Sequence, residues 1–264
     1  MNTASSLLAI ALYTAASILL WQEIRQGQPR YRLALGLGLL AACAHGLASY
    51  SGMITPRGMN ISLGQVAVLV SWFVVTLTAV SGFIRPLLSI LLAIFPFCAL
   101  VLAVTLVVDS PPKLVEQSGG VMGHIVLSLL SYSVLTIAAI RAVTLAIQEY
   151  RLKHHQLRGI LRVLPPLVTM EDMLFELVLV GFVLLTLSIG TGLYFVDDLF
   201  AQHLVHKTVF SLLAWICFGV LLVGRHRMGW RSRTAIRWTL VAFALLLIGY
   251  FGSKFVLEIL LQRG

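Results

Sequence analysis

The feature that most constrains this chain is a series of about eight apolar runs, each long enough to cross the hydrocarbon core of a bilayer. A backbone in hydrocarbon must satisfy its own hydrogen bonds, so runs of this length form helices. The runs cover residues 4–20, 33–50, 63–83, 87–108, 123–147, 173–195, 208–223 and 238–261. The sequence therefore predicts an all-α, polytopic membrane helix bundle that forms a single transmembrane domain over residues 1–264.

Composition supports lipid as the main surroundings of the chain. Hydrophobic residues make up 59% of the sequence and charged residues only 11%, whereas a soluble domain carries about 25% charged residues. A net charge of +9 would suggest a nucleic-acid partner in a soluble protein. Here the charges fall between the apolar runs, so we interpret them as determinants of membrane orientation and expect no nucleic-acid partner.

The distribution of basic residues predicts the orientation of the bundle. Fourteen of the 19 Lys and Arg residues lie in or beside the connections that follow the first, third, fifth and seventh runs. Cytoplasmic connections carry the excess of Lys and Arg in membrane proteins. We therefore expect a multi-pass protein of a bacterial inner membrane with both termini outside. Arg141, near the inner end of the fifth run, is expected to extend its side chain to the membrane surface.

No motif of soluble-type catalysis is visible in the sequence. The chain has no nucleophile elbow, Walker loop, HExxH motif or dinucleotide-binding glycine pattern. Cys43, Cys98 and Cys217 each lie inside an apolar run, and no CxxCH motif is present to attach haem covalently. We therefore expect the protein not to be an enzyme.

Two histidines inside the apolar runs are candidate ligands of a cofactor. His45 lies about six residues before the predicted outer end of the second run, which places it roughly 9 Å below the surface. A buried imidazole needs a hydrogen-bond partner, a ligand or a polar cavity. His124 opens the fifth run at the same membrane face. Together they can supply two axial nitrogens to a haem iron, or each can bond to a neighbouring helix instead.

The remaining histidines lie in the connections. His203 and His206 are three residues apart, so on a helix they share one face, with Asp197 and Asp198 nearby. They are weak candidates for an external metal site, and an ordinary solvated connection is the alternative. We interpret three further histidines as solvated side chains near lipid headgroups: His154, His155 and His226.

Four segments resemble a known family in the same order along the chain. They are MNISLGQVAVLVSWFVV, HIVLSLLSYSVLTIAAI, HKTVFSLLAWICFGVLLVGR and GWRSRTAIRWTLVAFALLLIGYFGSKFV. Together they resemble the CcsA/CcmC group of the haem-handling cytochrome c assembly superfamily, and most closely its YpjD/HemX-type branch of inner membrane proteins. The best resemblance covers residues 121–264.

The resemblance implies a bundle that receives haem and presents it at the outer membrane face. In it, His124 matches the family's external haem histidine, and His45 matches a histidine buried in an earlier helix. The sequence also departs from the family pattern. The tryptophan-rich loop expected before the seventh run has no tryptophan between Tyr194 and His206. Two expected histidines are also missing, since Val223 occupies the position of one and the other, expected after Phe251 and Gly252, has no counterpart in the sequence. Haem-synthase activity is therefore not expected.

Two functions from different classes follow from these observations. The first is an accessory factor of cytochrome c assembly that binds or handles haem at the outer membrane face. The second is a non-haem membrane subunit that stabilises or regulates a partner such as a transporter, in which the histidines are structural. A transporter in its own right is disfavoured, because the sequence lacks paired broken helices and a buried chain of acids and bases.

The predicted orientation can be tested with topology reporters fused at defined positions. The predicted cytoplasmic fusion points are Arg32, Arg85, His155 and Arg233. The predicted external fusion points are Gly58, Gly119, Asp198 and the C-terminus. The reason for the expectation is the asymmetry of the basic residues. A cytoplasmic signal from the C-terminal fusion would show that one of the eight spans is misassigned.

Overall fold

The computed structural model describes residues 2–55, 58–84, 87–108, 112, 114–115, 119–154, 164–195 and 205–252. Within these residues eight helices are long and apolar enough to cross a membrane. The predicted all-α membrane bundle is therefore confirmed. Hydrocarbon favours this architecture because each helix closes its own backbone hydrogen bonds.

The helices follow one another through short connections. Their bounds are α1 Thr3–Gln26, α2 Tyr31–Met53, α3 Leu63–Ile84, α4 Leu88–Val107, α5 Gly119–Lys153, α6 Leu167–Phe195, α7 Val205–Met228 and α8 Arg233–Leu247. A π-helical turn, Ile248–Gly252, follows α8 directly. Three short strands form an antiparallel sheet in the order β1-β2-β3, with bounds β1 Ile54–Thr55, β2 Gly58–Asn60 and β3 Leu114–Val115. The apolar runs did not predict this sheet.

The chain divides into two compact units. The first comprises Met1–Glu116 and Gln156–Leu164, and the second Gln117–His155 and Pro165–Gly264. In the first unit, α1 packs on α2 and α4, and α3 packs on the same two helices. In the second unit, α5 packs on α6 and α8, and α7 packs on those two helices. Each unit is thus a four-helix bundle, and the single domain over residues 1–264 stays a prediction.

Several helices begin before the predicted apolar runs, and α6 and α8 do so by the largest margins. α6 begins at Leu167 rather than at residue 173, and α8 begins at Arg233 rather than at residue 238. The added turns contain charged residues that pair with residues of other elements, as Arg233 on α8 does with Glu149 on α5 at 2.8 Å. Glu171 on α6 accepts hydrogen bonds from Arg225, and from Arg231 at 3.3 Å. Because ion pairs neutralise these charges, the helices extend beyond the purely apolar segments.

The prediction that Arg141 reaches the membrane surface is wrong. The residue is only 4% exposed, and its Nη1 atom lies 3.3 Å from the sulfur of Met170 on α6. Its Nε atom has no hydrogen-bond partner among the described residues. The Arg141 side chain is covered by the first turns of α6, which contain Met170 and precede the predicted apolar run.

Candidate functional site

His45 occupies the core of the first unit, where both nitrogens of its ring are hydrogen bonded. Nε2 lies 3.0 Å from the carbonyl oxygen of Val68 on α3. A carbonyl oxygen only accepts, so Nε2 carries the proton and Nδ1 carries a lone pair. The hydroxyl of Tyr13 on α1 lies 3.2 Å from Nδ1 and donates to it. The imidazole thereby connects α1, α2 and α3 and is fully satisfied in this arrangement.

The surroundings of His45 are closed and well packed. The His45 and Tyr13 side chains are fully buried, and the Tyr13 ring stacks on Phe95 with ring centroids 5.7 Å apart. The indole of Trp72 donates to the carbonyl of Ala42 at 2.9 Å, which fixes α3 against α2 one turn away. For His45 to bind an iron through Nδ1, Tyr13 must first release that nitrogen. The geometry therefore supports a structural role more directly than a ligand role.

His124 lies in the second turn of α5 and has a different bonding pattern. Its Nδ1 atom lies 2.9 Å from the carbonyl oxygen of Ser188 on α6, so Nδ1 carries the proton and donates. Nε2 is then unprotonated and has no hydrogen-bond partner among the described residues. The residue is partly exposed. Metal-binding histidines commonly donate one ring N–H to a backbone carbonyl and coordinate through the other nitrogen. His124 makes the first of these two bonds, through Nδ1.

Small residues on the facing helix make room for the His124 ring. A Cβ atom at Gly192 on α6 would lie 3.0 Å from Cε1 and 3.2 Å from Nδ1 of His124. One turn along, the hydroxyls of Ser128 and Ser188 are 2.7 Å apart and hydrogen bonded. Ser128 also donates to the carbonyl of His124 at 2.7 Å. These contacts hold α5 close to α6 and fix the orientation of the imidazole.

An aromatic cluster lies towards the same end of the second unit. Successive helices of a bundle that cross a membrane run in opposite directions, so the start of α5 shares an end with the start of α7 and the turn after α8. The ring of Tyr132 on α5 lies 5.7 Å from that of Tyr250 and 6.4 Å from that of Phe251. Its hydroxyl donates to the carbonyl of Leu246 at 3.1 Å. The ammonium of Lys207 lies 5.3 Å from the Tyr250 ring.

This cluster was only partly visible in the sequence. Tyr132 and Phe251 belong to segments that resemble the assembly superfamily, but nothing in the sequence placed Lys207 beside Tyr250. Both Tyr250 and Phe251 lie in the π-helical turn. Such turns occur frequently at functional sites, because the widened turn changes the direction of its side chains. A π turn has no simple sequence signature, so the cluster could not be deduced from spacing.

The two candidate haem ligands lie in different units, His45 in the first and His124 in the second. The structure describes each site separately, and a haem site with both ligands stays a prediction. Within the described part of the chain no cluster of three or more His, Cys, Asp or Glu side chains is suited to a metal ion. His203 and the side chain of His206 lie outside the described residues, so the external metal site also stays a prediction.

The connection histidines that the structure describes agree with the solvated interpretation. His154 is exposed, and its Nδ1 atom lies 2.8 Å from the carbonyl of Tyr150 in its own helix. His226 is exposed near the end of α7. His155 lies outside the described residues. His154 therefore provides a suitable control position for experiments on the buried histidines.

Comparison with known proteins identifies the family. The family described as Cytochrome C assembly protein matches residues 33–261 of this chain, which include both His45 and His124. The chain belongs to the cytochrome c assembly protein family. The resemblance stated from the sequence segments is thus confirmed, and it extends well upstream of residue 121. No solved structure matches the chain.

Similar proteins cover nearly the whole chain. Inner membrane protein YpjD of Escherichia coli (strain K12) is 32% identical over 259 residues, which are 97% of this chain and 98% of the relative. Protein HemX of Brevibacillus brevis is 28% identical and covers 93% of each chain. Together with the eight helices able to cross a membrane, these relatives support the predicted location. This member of the cytochrome c assembly family is a multi-pass inner membrane protein.

The bond between Tyr13 and His45 gives a testable prediction for stability. Tyr13→Phe leaves the buried Nδ1 lone pair without a donor, and an unsatisfied buried group costs about 1–3 kcal/mol. We expect a lower Tm for the detergent-purified variant in thermal unfolding. Tyr50→Phe is the matched control, because Tyr50 is 65% exposed and the variant should unfold like the parent protein. An unchanged Tm for Tyr13→Phe would contradict a structural role for this bond.

Proposed function

We propose that this protein is an accessory factor of cytochrome c assembly that binds haem at the outer membrane face, and that Nε2 of His124 would hold the iron. The observation that carries this proposal is the bonding pattern of the imidazole. Nδ1 donates to the carbonyl of Ser188 at 2.9 Å, so the lone pair on Nε2 remains available to a metal. Membership of the cytochrome c assembly family supports haem as the cofactor.

The residues around His124 fit the chemistry of a haem group. Imidazole nitrogen is a common axial ligand of haem iron, and bound haem supplies the redox-active metal. The carbonyl of Ser188 fixes the orientation of the ring, and by accepting the Nδ1 proton it makes the Nε2 lone pair more basic and so a better metal ligand. The aromatic cluster of Tyr132, Tyr250 and Phe251 offers apolar ring faces of the kind that pack against a flat conjugated ligand. The His124 imidazole and this aromatic surface belong to the same unit, which supports the proposal.

His45 remains a predicted second ligand under one condition. Its Nε2–H is held by the carbonyl of Val68, and Nδ1 accepts from Tyr13. A ligand role requires the Tyr13 hydroxyl to turn away from Nδ1. If His45 acts this way, Tyr13→Phe strengthens haem binding even though it lowers the stability of the fold. If His45 is structural, the same variant leaves haem binding unchanged.

The second candidate function is a non-haem subunit that stabilises or regulates a partner such as a transporter. The satisfied imidazole of His45 favours this function, because a fully hydrogen-bonded histidine needs no ligand to explain its burial. The two functions differ in one measurable property. Only the first requires the purified protein to bind haem through His124.

An absorption spectrum tests the proposed function. The protein, expressed with sufficient haem and purified in detergent, is expected to show a Soret band. His124→Ala removes the proposed ligand nitrogen and should weaken that band strongly, while His154→Ala should leave it unchanged. His45→Ala, compared with these two, shows whether the buried histidine is a second ligand. A colourless protein that also fails to bind added haem would leave only the partner-subunit function.

Two glycines of α6 provide a finer control for the same measurement. The Cβ atom of an alanine at Gly192 would press on the His124 ring at 3.0 Å, whereas a Cβ atom at Gly190 would have nothing within 4 Å. Gly192→Ala is therefore expected to perturb the Soret band, and Gly190→Ala is not. Equal spectra for the two variants would show that haem binding does not depend on the orientation of His124.

We further propose that the protein does not itself attach haem to apocytochrome c. The support is in the sequence, because residues 195–206 contain no tryptophan where the family's tryptophan-rich loop is expected. Supplied as the sole assembly factor to a strain without its own system, the protein should yield no covalently haem-stained cytochrome. A strain carrying a complete assembly system is the positive control. A clear haem-stained band from this protein alone would overturn the proposal.

A further inference from the structure

An apolar groove runs along the side of α7 in the second unit. It has a volume of about 330 Å³ and is lined by residues of α7, with Trp230 at one end. Ile216 and Val223 in its lining are 50% and 58% exposed. The groove is therefore open to the surroundings of the second unit and is not part of the His124 site.

Glycines and one tryptophan create the shape of this groove. Gly219 and Gly224 contribute no side chains to its floor. The indole of Trp230 occupies the space beside Gly224, since a Cβ atom there would lie 2.4 Å from the ring. Trp230 also stacks on Trp238 with centroids 5.6 Å apart, which fixes it in place. The end of the groove is thus preformed by packing within the unit.

The position of α7 indicates what surrounds the groove. The helix is long and apolar enough to cross the membrane, so the medium that contacts its exposed apolar side is the hydrocarbon of lipid chains. Trp230 follows α7 at the end that the basic residues predict to be cytoplasmic. Tryptophan is enriched at the membrane–water interface, where the lipid headgroups lie. An occupant of the groove would therefore have its polar part near Trp230.

The charges at this end favour an acidic headgroup. Arg225 pairs with Asp172 at 3.0 Å, and Arg233 pairs with Glu149 at 2.8 Å. Arg227 is exposed and has no ion-pair or hydrogen-bond partner among the described residues. It lies four residues after Val223 in the same helix and therefore on the same face as the groove lining. A guanidinium in this position can bind the phosphate of a lipid.

We propose that the groove of α7 binds one acyl chain of an acidic phospholipid, whose headgroup is held by Arg227. The apolar lining accepts the chain, Trp230 closes the end of the groove, and the unpaired cation selects an anionic headgroup over a zwitterionic one. This site is independent of the proposed haem function.

Native mass spectrometry of the detergent-purified protein tests the site with defined lipids. We expect phosphatidylglycerol to be retained in preference to phosphatidylcholine with the same acyl chains. Arg227→Gln should reduce retention of phosphatidylglycerol about tenfold, the effect of losing one charge-assisted contact. Arg227→Lys should retain part of that preference. The matched control is Arg151→Gln, which removes a charge from the end of α5 without touching the groove.

A second variant tests the groove itself. Gly219→Leu fills the groove with a side chain, and a Cβ atom at this position meets Phe182 only at an ordinary 3.5 Å. The variant should fold and lose phosphatidylglycerol retention. Equal retention by Arg227→Gln and Arg151→Gln, equal binding of both lipids, or full retention by Gly219→Leu would each overturn the proposal. So would a stable dimer that covers the groove in the presence of the lipid.

Discussion

Hydrocarbon offers no hydrogen-bond partner, and this single constraint accounts for much of the architecture of the protein. Backbone groups are satisfied within helices, and hydroxyl groups donate back to carbonyls in their own helix, as Ser133 does to Leu129 at 2.6 Å. The two intramembrane histidines follow the same rule with carbonyls of neighbouring helices. His45 uses Val68 of α3, and His124 uses Ser188 of α6. Polar side chains thus serve as specific links between helices.

The two histidines differ in which ring nitrogen makes this hydrogen bond to the neighbouring helix. In His45 the link is through Nε2, and Tyr13 occupies the remaining lone pair. In His124 the link is through Nδ1, which leaves the lone pair of Nε2 without a described partner. The same physical requirement therefore leaves the His45 ring fully hydrogen bonded in the first unit and the His124 ring with one unbonded nitrogen among the described residues of the second. The proposed haem function rests on that difference.

The sequence predicted the number and class of the helices because hydropathy acts over whole spans and few competing folds exist in a bilayer. It also predicted correctly that His45 needs partners. It did not predict the early start of α6, because the pairing of Glu171 with Arg225 joins residues distant in sequence. The sequence also did not predict that Arg141 is buried or that Nε2 of His124 lacks a described partner. Both depend on the contacts that a side chain makes across helices.

The π-helical turn at the end of the last described helix has a geometric consequence. Such a turn contains one residue more than an α-helical turn, and each residue of a helix advances the chain by roughly 100° around its axis. Ile248–Gly252 thus sets the angular phase of Tyr250 and Phe251 relative to the face of α8 that packs on α5. A single-residue deletion within the turn would rotate both rings by about that angle while leaving the hydropathy of the span intact. The direction in which this turn points its side chains therefore cannot be read from the length or composition of the span. That direction determines whether the two rings contact Tyr132.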